Sequence, residues 1–353
     1  LPRGCGGEGR HPGAPSRGHD RDRIGSWGRP RPPLGARVLC LAGGGSGAES
    51  GQAGPPARAA GGPEELPEEL AGGKWSPTPA AAPRPTAAQL QEMAELEALG
   101  YADGVRPAGE LVSVTRYDPE RAQPGLNFFV SGHACEAYLV DMQGTLVHRW
   151  SHPFDGLGGL FPDLDVAPDA AGRDKWRRAE LLDDGGILAI HEGIGMVRLD
   201  RESRLLWAYP GKTHHDLQVM PDGRIWTLAR EALIIPRLDP DAICMDDYLV
   251  ELSPDGQELQ RISVLECLEN GGADDLLARM KHEKELFHTN SIEVLDGRIA
   301  DRVPAFAEGN LLISLRHLDA LAVIDPRQRR LVWSLTGGFA AQHDPKILAN
   351  GNL

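Results

Sequence analysis

One phrase recurs four times along this chain, and repetition constrains a fold more than any single element does. An apolar strand ends in an acidic or polar residue, a turn follows, and a second strand carries tryptophan. The copies fall at residues 137–141 with 146–150, and at 196–200 with 205–207. They return at 248–252 with 259–264, without Trp, and at 321–325 with 331–333. A second phrase, turn plus strand, opens at Asp184-Gly185, Asp222-Gly223, Glu308-Gly309 and Asn350-Gly351. The first three precede a copy of the first phrase. The unit is therefore three or four antiparallel strands, and a chain of such units points to an all-β fold, a β-propeller. A β-sandwich does not explain the repeated phrase order. The repeat ends at 141, 200, 252 and 325 are wider apart than the roughly 40–45 residues of a minimal blade. The surplus is assigned to loop insertions near 166–180, 232–245, 266–287 and 298–308, with a short helix expected around Leu276, Leu277 and Met280.

The chain has 353 residues and a formal net charge of −14, but composition is uneven. Residues 1–60 hold 15 Gly, 8 Pro, nine Arg, no Lys and four acids. That stretch cannot bury enough apolar surface to offset its ordering entropy, so residues 1–85 are read as a disordered leader. Residues 86–110 are read as a helix and linker. Thr86 and Gln89 fit a capping box, Leu90, Met93 and Leu96 form a stripe, and Gly100 suits a C-cap. Residues 111–353 are the propeller. Its acidity argues against nucleic acid as a partner. No run of about 18 apolar residues exists to cross a membrane as a helix. Residues 37–42 are read as an incidental apolar run rather than the tail of an export signal. The start at Leu1 and the strand-like opening at Asn350 both read as cut ends. The five cysteines form no CxxC pair, which argues against structural zinc.

Three histidines stand in register with the repeat. His215 and His343 precede their Asp/Asn-Gly turns by seven residues, and His288 precedes Asp296-Gly297 by eight. Each is expected to begin the first strand of a blade, where equivalent positions converge on the channel mouth. His214 and His317, next to better-placed residues, are expected to face the other way. Arg316 adds a guanidinium suited to an oxyanion. Such a cluster fits two chemistries. One is metal binding, with only Asp216 and Asp344 as nearby carboxylates. The other is a nucleophilic imidazole assisted by neighbouring donors.

Taken in order, Gly125-Leu126-Asn127-Phe128-Phe129, Leu139-Val140-Asp141 with Trp150, His214-His215-Asp216, His288-Thr289-Asn290-Ser291, Ser314-Leu315-Arg316-His317 and Gln342-His343-Asp344 form a set that resembles the bacterial arylsulfotransferases. These are six-bladed propeller enzymes that work without phosphoadenosine-phosphosulfate. The resemblance covers about residues 111–353. It implies a sulfuryl group moved from an aryl sulfate to a phenol through a sulfohistidine. His343 matches the nucleophile. His215, His288, Asn290 and Arg316 match the residues that hold the sulfuryl oxygens, and His215 or His288 also handles the phenol proton. Asp344 is expected to orient the backbone. The resemblance implies no cofactor and no metal, an extracytoplasmic or periplasmic setting, and a membrane tether upstream of the chain. The family continues beyond the residue matching Leu353, so the chain is read as a fragment with an incomplete ring. The competing readings are a non-catalytic propeller that binds a ligand or protein, and a quinoprotein-like or metal-dependent oxidoreductase.

Overall fold

The computed structural model describes residues 85–98, 113–157, 171–280 and 284–353. The chain divides into two units, Leu1–Ser76 and Pro77–Leu353, and every described residue belongs to the second. The expected leader lies outside the described residues except for Pro85, as does most of the expected linker. No helix among the described residues is long and apolar enough to cross a membrane.

The recurring phrases become four antiparallel sheets, each formed by strands consecutive in the chain. Blade one is β1 (Asn127–Val130), β2 (Glu136–Val140) and β3 (Leu146–Ser151). Blade two is β4 (Arg178–Leu181), β5 (Ile187–His191), β6 (Gly195–Leu199) and β7 (Leu205–Tyr209). Blade three is β8 (Thr213–Val219), β9 (Ile225–Ile234), β10 (Ile243–Leu252) and β11 (Glu258–Ser263). Blade four is β12 (Thr289–Val294), β13 (Leu311–Leu315), β14 (Ala320–Asp325) and β15 (Arg330–Thr336). The opening strands β4, β8 and β12 gather, β8 lying against both others. Up-and-down sheets joined along their first strands are the blades of a β-propeller.

The chemistry of the phrases explains their spelling. The acid ending the first phrase folds back on its own turn. Asp141 Oδ1 accepts from the Gln143 and Thr145 amides (2.9 and 2.8 Å), and Asp200 Oδ1 from those of Glu202 and Arg204. Asp325 does the same, and in the third copy the Ser253 hydroxyl stands in. These are Asx-type turns. Gly185 and Gly223 take φ of +81° and +85°, which glycine adopts without strain. The outer ladder of every blade slips register at one place, as at Leu139/Val140 and Arg198/Leu199. Two of the phrase's three tryptophans bridge to the next blade. Trp150 Nε1 donates to the Gly185 carbonyl (3.2 Å), and Trp207 Nε1 to that of Pro254 (3.2 Å).

The apolar clusters lie between blades. Trp150 and Leu139 of blade one meet Ile187 and Val197 of blade two. Leu188 and Met196 meet Ile225 and Val250. Leu228 and Leu249 meet Ile313 and Ile324. Blades two and three are thus spacers whose two faces are buried by their neighbours, while the other face of blade four is covered by Leu295, Ile299, Phe306 and Ile347.

Three insertions differ from expectation. Residues 232–245 are a loop only over 235–242, because β9 and β10 remain paired as far as Ile234 and Ile243. The apolar run Ala232-Leu233-Ile234 matches Ile243-Cys244-Met245 and continues the ladder. Residues 266–287 carry two short helices, α2 (Val264–Asn270) and α3 (Asp274–Leu277), where one was expected. Ser263 caps the first by accepting from the Glu266 amide. The expected insertion at 166–180 already contains the start of β4. Upstream, α1 (Ala87–Ala98) has its capping box. The Thr86 amide donates to Gln89 Oε1 (2.9 Å) and the Gln89 amide to Thr86 Oγ1 (3.3 Å). Leu96 and Met93 pack on Ala232, Ile243 and Met245, whereas Leu90 faces solvent.

Candidate functional site

Two of the opening strands are deformed where they carry histidine. In the β8–β9 ladder the register jumps between His214 and Leu217, and in β12–β13 between Thr289 and Ile292. His215 has φ of +51° and His288 φ of +52°, the left-handed region that costs a Cβ-bearing residue of order 1 kcal/mol. A bulge of this kind re-aims side chains. His215 lies inside β8, and His288 sits one residue before β12. His343 was expected to open a strand but lies in an irregular segment after β15.

The three imidazoles meet. Ring centroids are 5.0 Å apart for His215–His288, 6.5 Å for His215–His343 and 6.3 Å for His288–His343. One nitrogen from each lies within 4.8 Å of the others. His215 and His288 are buried, while His343 is exposed. Burial, assisted by His214, Arg177 and Arg230, drives the His215 imidazole far below its ordinary range, so it is neutral.

Gln342 places His343. Its Nε2 donates to the Ala320 carbonyl (2.8 Å) and Ser314 Oγ (3.0 Å). Its own carbonyl accepts from Asn290 Nδ2 (2.9 Å) and Ser314 Oγ (3.1 Å). The preceding amide, of Ala341, donates to Asp319 Oδ1 (2.7 Å). Asn290 thus spends a donor on the segment that bears His343. Arg316 opens a 3-10 turn, Arg316–Leu318, directly after β13. Its amide donates to the His288 carbonyl (3.4 Å), and among the described residues no carboxylate pairs with its guanidinium. Asp344 forms an exposed ion pair with Lys346 (3.0 Å).

His214 and His317 do not turn away as strand alternation suggested. The bulge at His215 brings His214 Nδ1 to 2.9 Å from His215 Nδ1. His317, in the 3-10 turn, lies 5.0 Å from His288 with the two rings tilted by 49°. Beneath them lies a buried charged layer that sequence reasoning missed. Glu192 approaches Arg177 (3.5 Å) and His215 Nδ1 (3.9 Å), and Asp247 Oδ1 lies 3.6 Å from His214 Nε2. Burial raises the pKa of both carboxyls and lowers that of His214. A sequence signal for Glu192 exists, since it directly follows the apolar strand Ile187–His191. Asp216 ties three blades together. It accepts from the Ile292 amide (3.0 Å) and pairs with Arg178 of β4 (3.0 Å).

Three sets of donors come within the 4.8 Å needed to share one ion: His215/His288/His343, Glu192/His214/His215 and Glu285/His288/His317. Only the first is open to solvent through an exposed member. Chemically, it joins a solvent-facing imidazole to a neutral buried one and a third from another blade. Arg316 is tied to this group through its backbone amide, which donates to the His288 carbonyl (3.4 Å). That combination suits a nucleophile working on an anion.

Comparison with known proteins agrees in part with the motifs. No curated protein sequence matches the chain. Among solved structures, BamB from Moraxella catarrhalis is similar over 61% of this chain and 48% of its own, at 8% identity and a TM-score of 0.35. A protein of unknown function from Bacteroides caccae is similar over 61% of this chain and 73% of its own, at 12% identity and a TM-score of 0.28. The chain spans about half the length of that BamB. Residues 178–352 match the sequence model of the arylsulfotransferase (ASST) family. The match opens at the first residue of β4 and takes in His215, His288, Asn290, Arg316 and His343. The matched span, just under half of the chain, takes in blades two to four and the segment bearing His343.

Proposed function

We propose that this protein transfers a sulfuryl group from an aryl sulfate ester to a phenol through His343. The observation that supports this reading is the convergence of three imidazoles from separate segments on one solvent-reaching point. A His343 nitrogen attacks sulfur, an N–S bond forms, and the S–O bond to the aryl group breaks. The departing phenolate takes a proton from a neighbouring imidazole. In the second half an acceptor phenol returns that proton as its oxygen takes the sulfuryl group. Sulfur is not oxidised or reduced, and no cofactor enters. Arg316 balances the anionic group, and neutral His215 contributes one N–H to it. Asn290 and Gln342 keep His343 in place. An extracytoplasmic setting belongs to the same proposal.

The test is transfer from 4-nitrophenyl sulfate to a phenol. Wild type should give nitrophenolate and a new aryl sulfate with ping-pong kinetics. His343→Ala should lower kcat/KM by roughly 10³-fold or more, and full activity in that variant overturns the nucleophile assignment. The same imidazoles would also suit a transition metal. Stoichiometric metal lost in His215→Ala, with no sulfuryl transfer by wild type, would select that reading.

A further inference from the structure

The proposed reaction needs a group that moves the phenol proton, and two imidazoles stand close enough. We propose that His288 does this through Nε2, that Glu285 is the positioning carboxylate that makes it possible, and that the substrates are therefore sulfates of unactivated phenols. The inference rests on the sulfuryl-transfer reading and names its substrate class.

The geometry is specific. Glu285 Oε2 lies 2.9 Å from His288 Nδ1. A carboxylate only accepts, so this partner assigns the proton to Nδ1 and the lone pair to Nε2 of the neutral ring. In the protonated ring Glu285 holds the same Nδ1–H, and the second proton sits on Nε2. Whichever form is present, the proton exchanged with substrate is the one on Nε2. His215 has a different neighbour. Its Nδ1 makes its 2.9 Å contact with the Nδ1 of His214, a second imidazole, while the nearest carboxylate oxygen, of Glu192, stands off at 3.9 Å. Deep burial also keeps His215 neutral. An imidazole confined to one charge state is a poor shuttle for a proton.

Glu285 is itself held in place. Its chain segment bridges β10, with the Met245 amide donating to the Lys284 carbonyl (2.6 Å) and the Leu286 amide to the Met245 carbonyl (3.1 Å). Its backbone carbonyl faces His317 Nδ1 at 3.1 Å, and its Oε2 lies 3.7 Å from His317 Nε2. His317 therefore approaches the same carboxylate oxygen that bonds His288, at the longer distance. Glu285 Oε1 is buried and makes no hydrogen bond. The carboxylate's bonding is thus concentrated on Oε2, the atom that faces His288.

The consequence is chemical. A leaving phenolate as stable as 4-nitrophenolate departs without a proton. Phenolate itself needs one delivered as the S–O bond breaks, and positioned proton transfer contributes roughly 10²–10⁴-fold. The test compares 4-nitrophenyl sulfate with phenyl sulfate in wild type, Glu285→Gln and Glu285→Asp. Glu285→Gln should lose about 10²-fold in kcat/KM on phenyl sulfate and within about threefold on 4-nitrophenyl sulfate. Retained nitrophenyl activity shows that the variant is folded. Glu285→Asp should recover part of the phenyl sulfate rate. Equal losses on both donors, or none, overturn the proposal. A second readout does not require turnover. The ¹⁵N shifts of the His288 ring should report the Nδ1–H tautomer in wild type and a mixture in Glu285→Gln. If wild type transfers nothing from either donor, the sulfuryl-transfer reading fails, and the tautomer measurement alone then decides the Glu285–His288 pair. An Nε2–H tautomer in wild type overturns it.

Discussion

Trp176 Nε1 donates to His191 Nε2 (3.0 Å), and His191 Nδ1 faces the Gly172 carbonyl (2.7 Å). The two contacts use a neutral ring completely, one nitrogen accepting and the other donating. Burial pushes this imidazole down from 6.5 to about 4. The folded pKa lies below the unfolded one, so the unfolded chain binds the extra proton first. The stabilisation is complete above pH 6.5 and is lost as pH falls toward 4. The shift corresponds to about 3 kcal/mol. Buried Asp246 is raised to about 7 and contributes with the opposite sign in an overlapping window, so the total profile does not isolate His191. A difference does. The stability advantage of wild type over His191→Gln, from urea midpoints, should be largest at pH 7 and shrink by about 3 kcal/mol by pH 4. A constant difference would show that His191 is not held neutral. The sequence did not announce this residue. His191 ends an apolar strand, and nothing local reveals that Trp176 and Gly172 close over it from a separate segment.

Helix α1 shows the same division at the scale of an element. Its start was legible, because a capping box is local and its hydrogen bonds run between Thr86 and Gln89 alone. Its docking was only half legible. Leu96 and Met93 are buried as the stripe suggested, but the decisive residue is Glu97 on its flank. Glu97 receives Lys212 Nζ on both carboxylate oxygens (2.7 Å each) and the Ala232 amide on Oε1 (2.9 Å). Its backbone carbonyl accepts from Arg230 (3.3 Å). A long-range ion pair of this kind has no signature in spacing. Removing the side chain leaves a half-buried ammonium and a backbone donor to be resolvated, at a cost of about 1–3 kcal/mol. Glu97→Ala should therefore speed amide exchange across residues 87–98 with little change in blade one. Unchanged exchange in α1 would show that apolar contacts alone hold it. The insertions misread from sequence belong to this scale too. The extended end of the β9–β10 hairpin is where α1 packs, a partner outside the repeat.

At the scale of the whole molecule the repeat carried most of the information. Asx turns, left-handed glycines and inter-blade tryptophans are short-range devices, and they recur because each blade solves the same packing problem. The imidazole triad was legible for the same reason, since positions in register with a repeat must gather at its axis. The polar layer beneath it was not. Glu192, Asp247, Arg230 and Glu285 come from loops and strand interiors outside the phrases, where charge in sequence says nothing about burial. Because the apolar clusters lie between blades, damage to one face is shared. Leu228 is fully buried and belongs to the cluster joining blades three and four. Leu228→Ala should cost about 2–5 kcal/mol and reduce hydrogen-exchange protection in β12–β15 as well as in β8–β11. Loss confined to β8–β11 would contradict a shared interface. Leu259 on the outer strand β11 is 52% exposed, and Leu259→Ala should change stability by no more than about 0.5 kcal/mol.

The left-handed backbone at His215, His288 and Asp344 has a practical corollary for anyone redesigning this protein. Glycine or asparagine is the residue a stability-driven sequence search would install at such positions. Two of these three substitutions would delete an imidazole from the cluster, and the third changes the neighbour of His343. On the proposed mechanism, thermostabilised variants chosen only on backbone fit would be firmer but would lose sulfuryl transfer. A redesign that keeps function must hold these positions fixed and look for its gains in the outer strands.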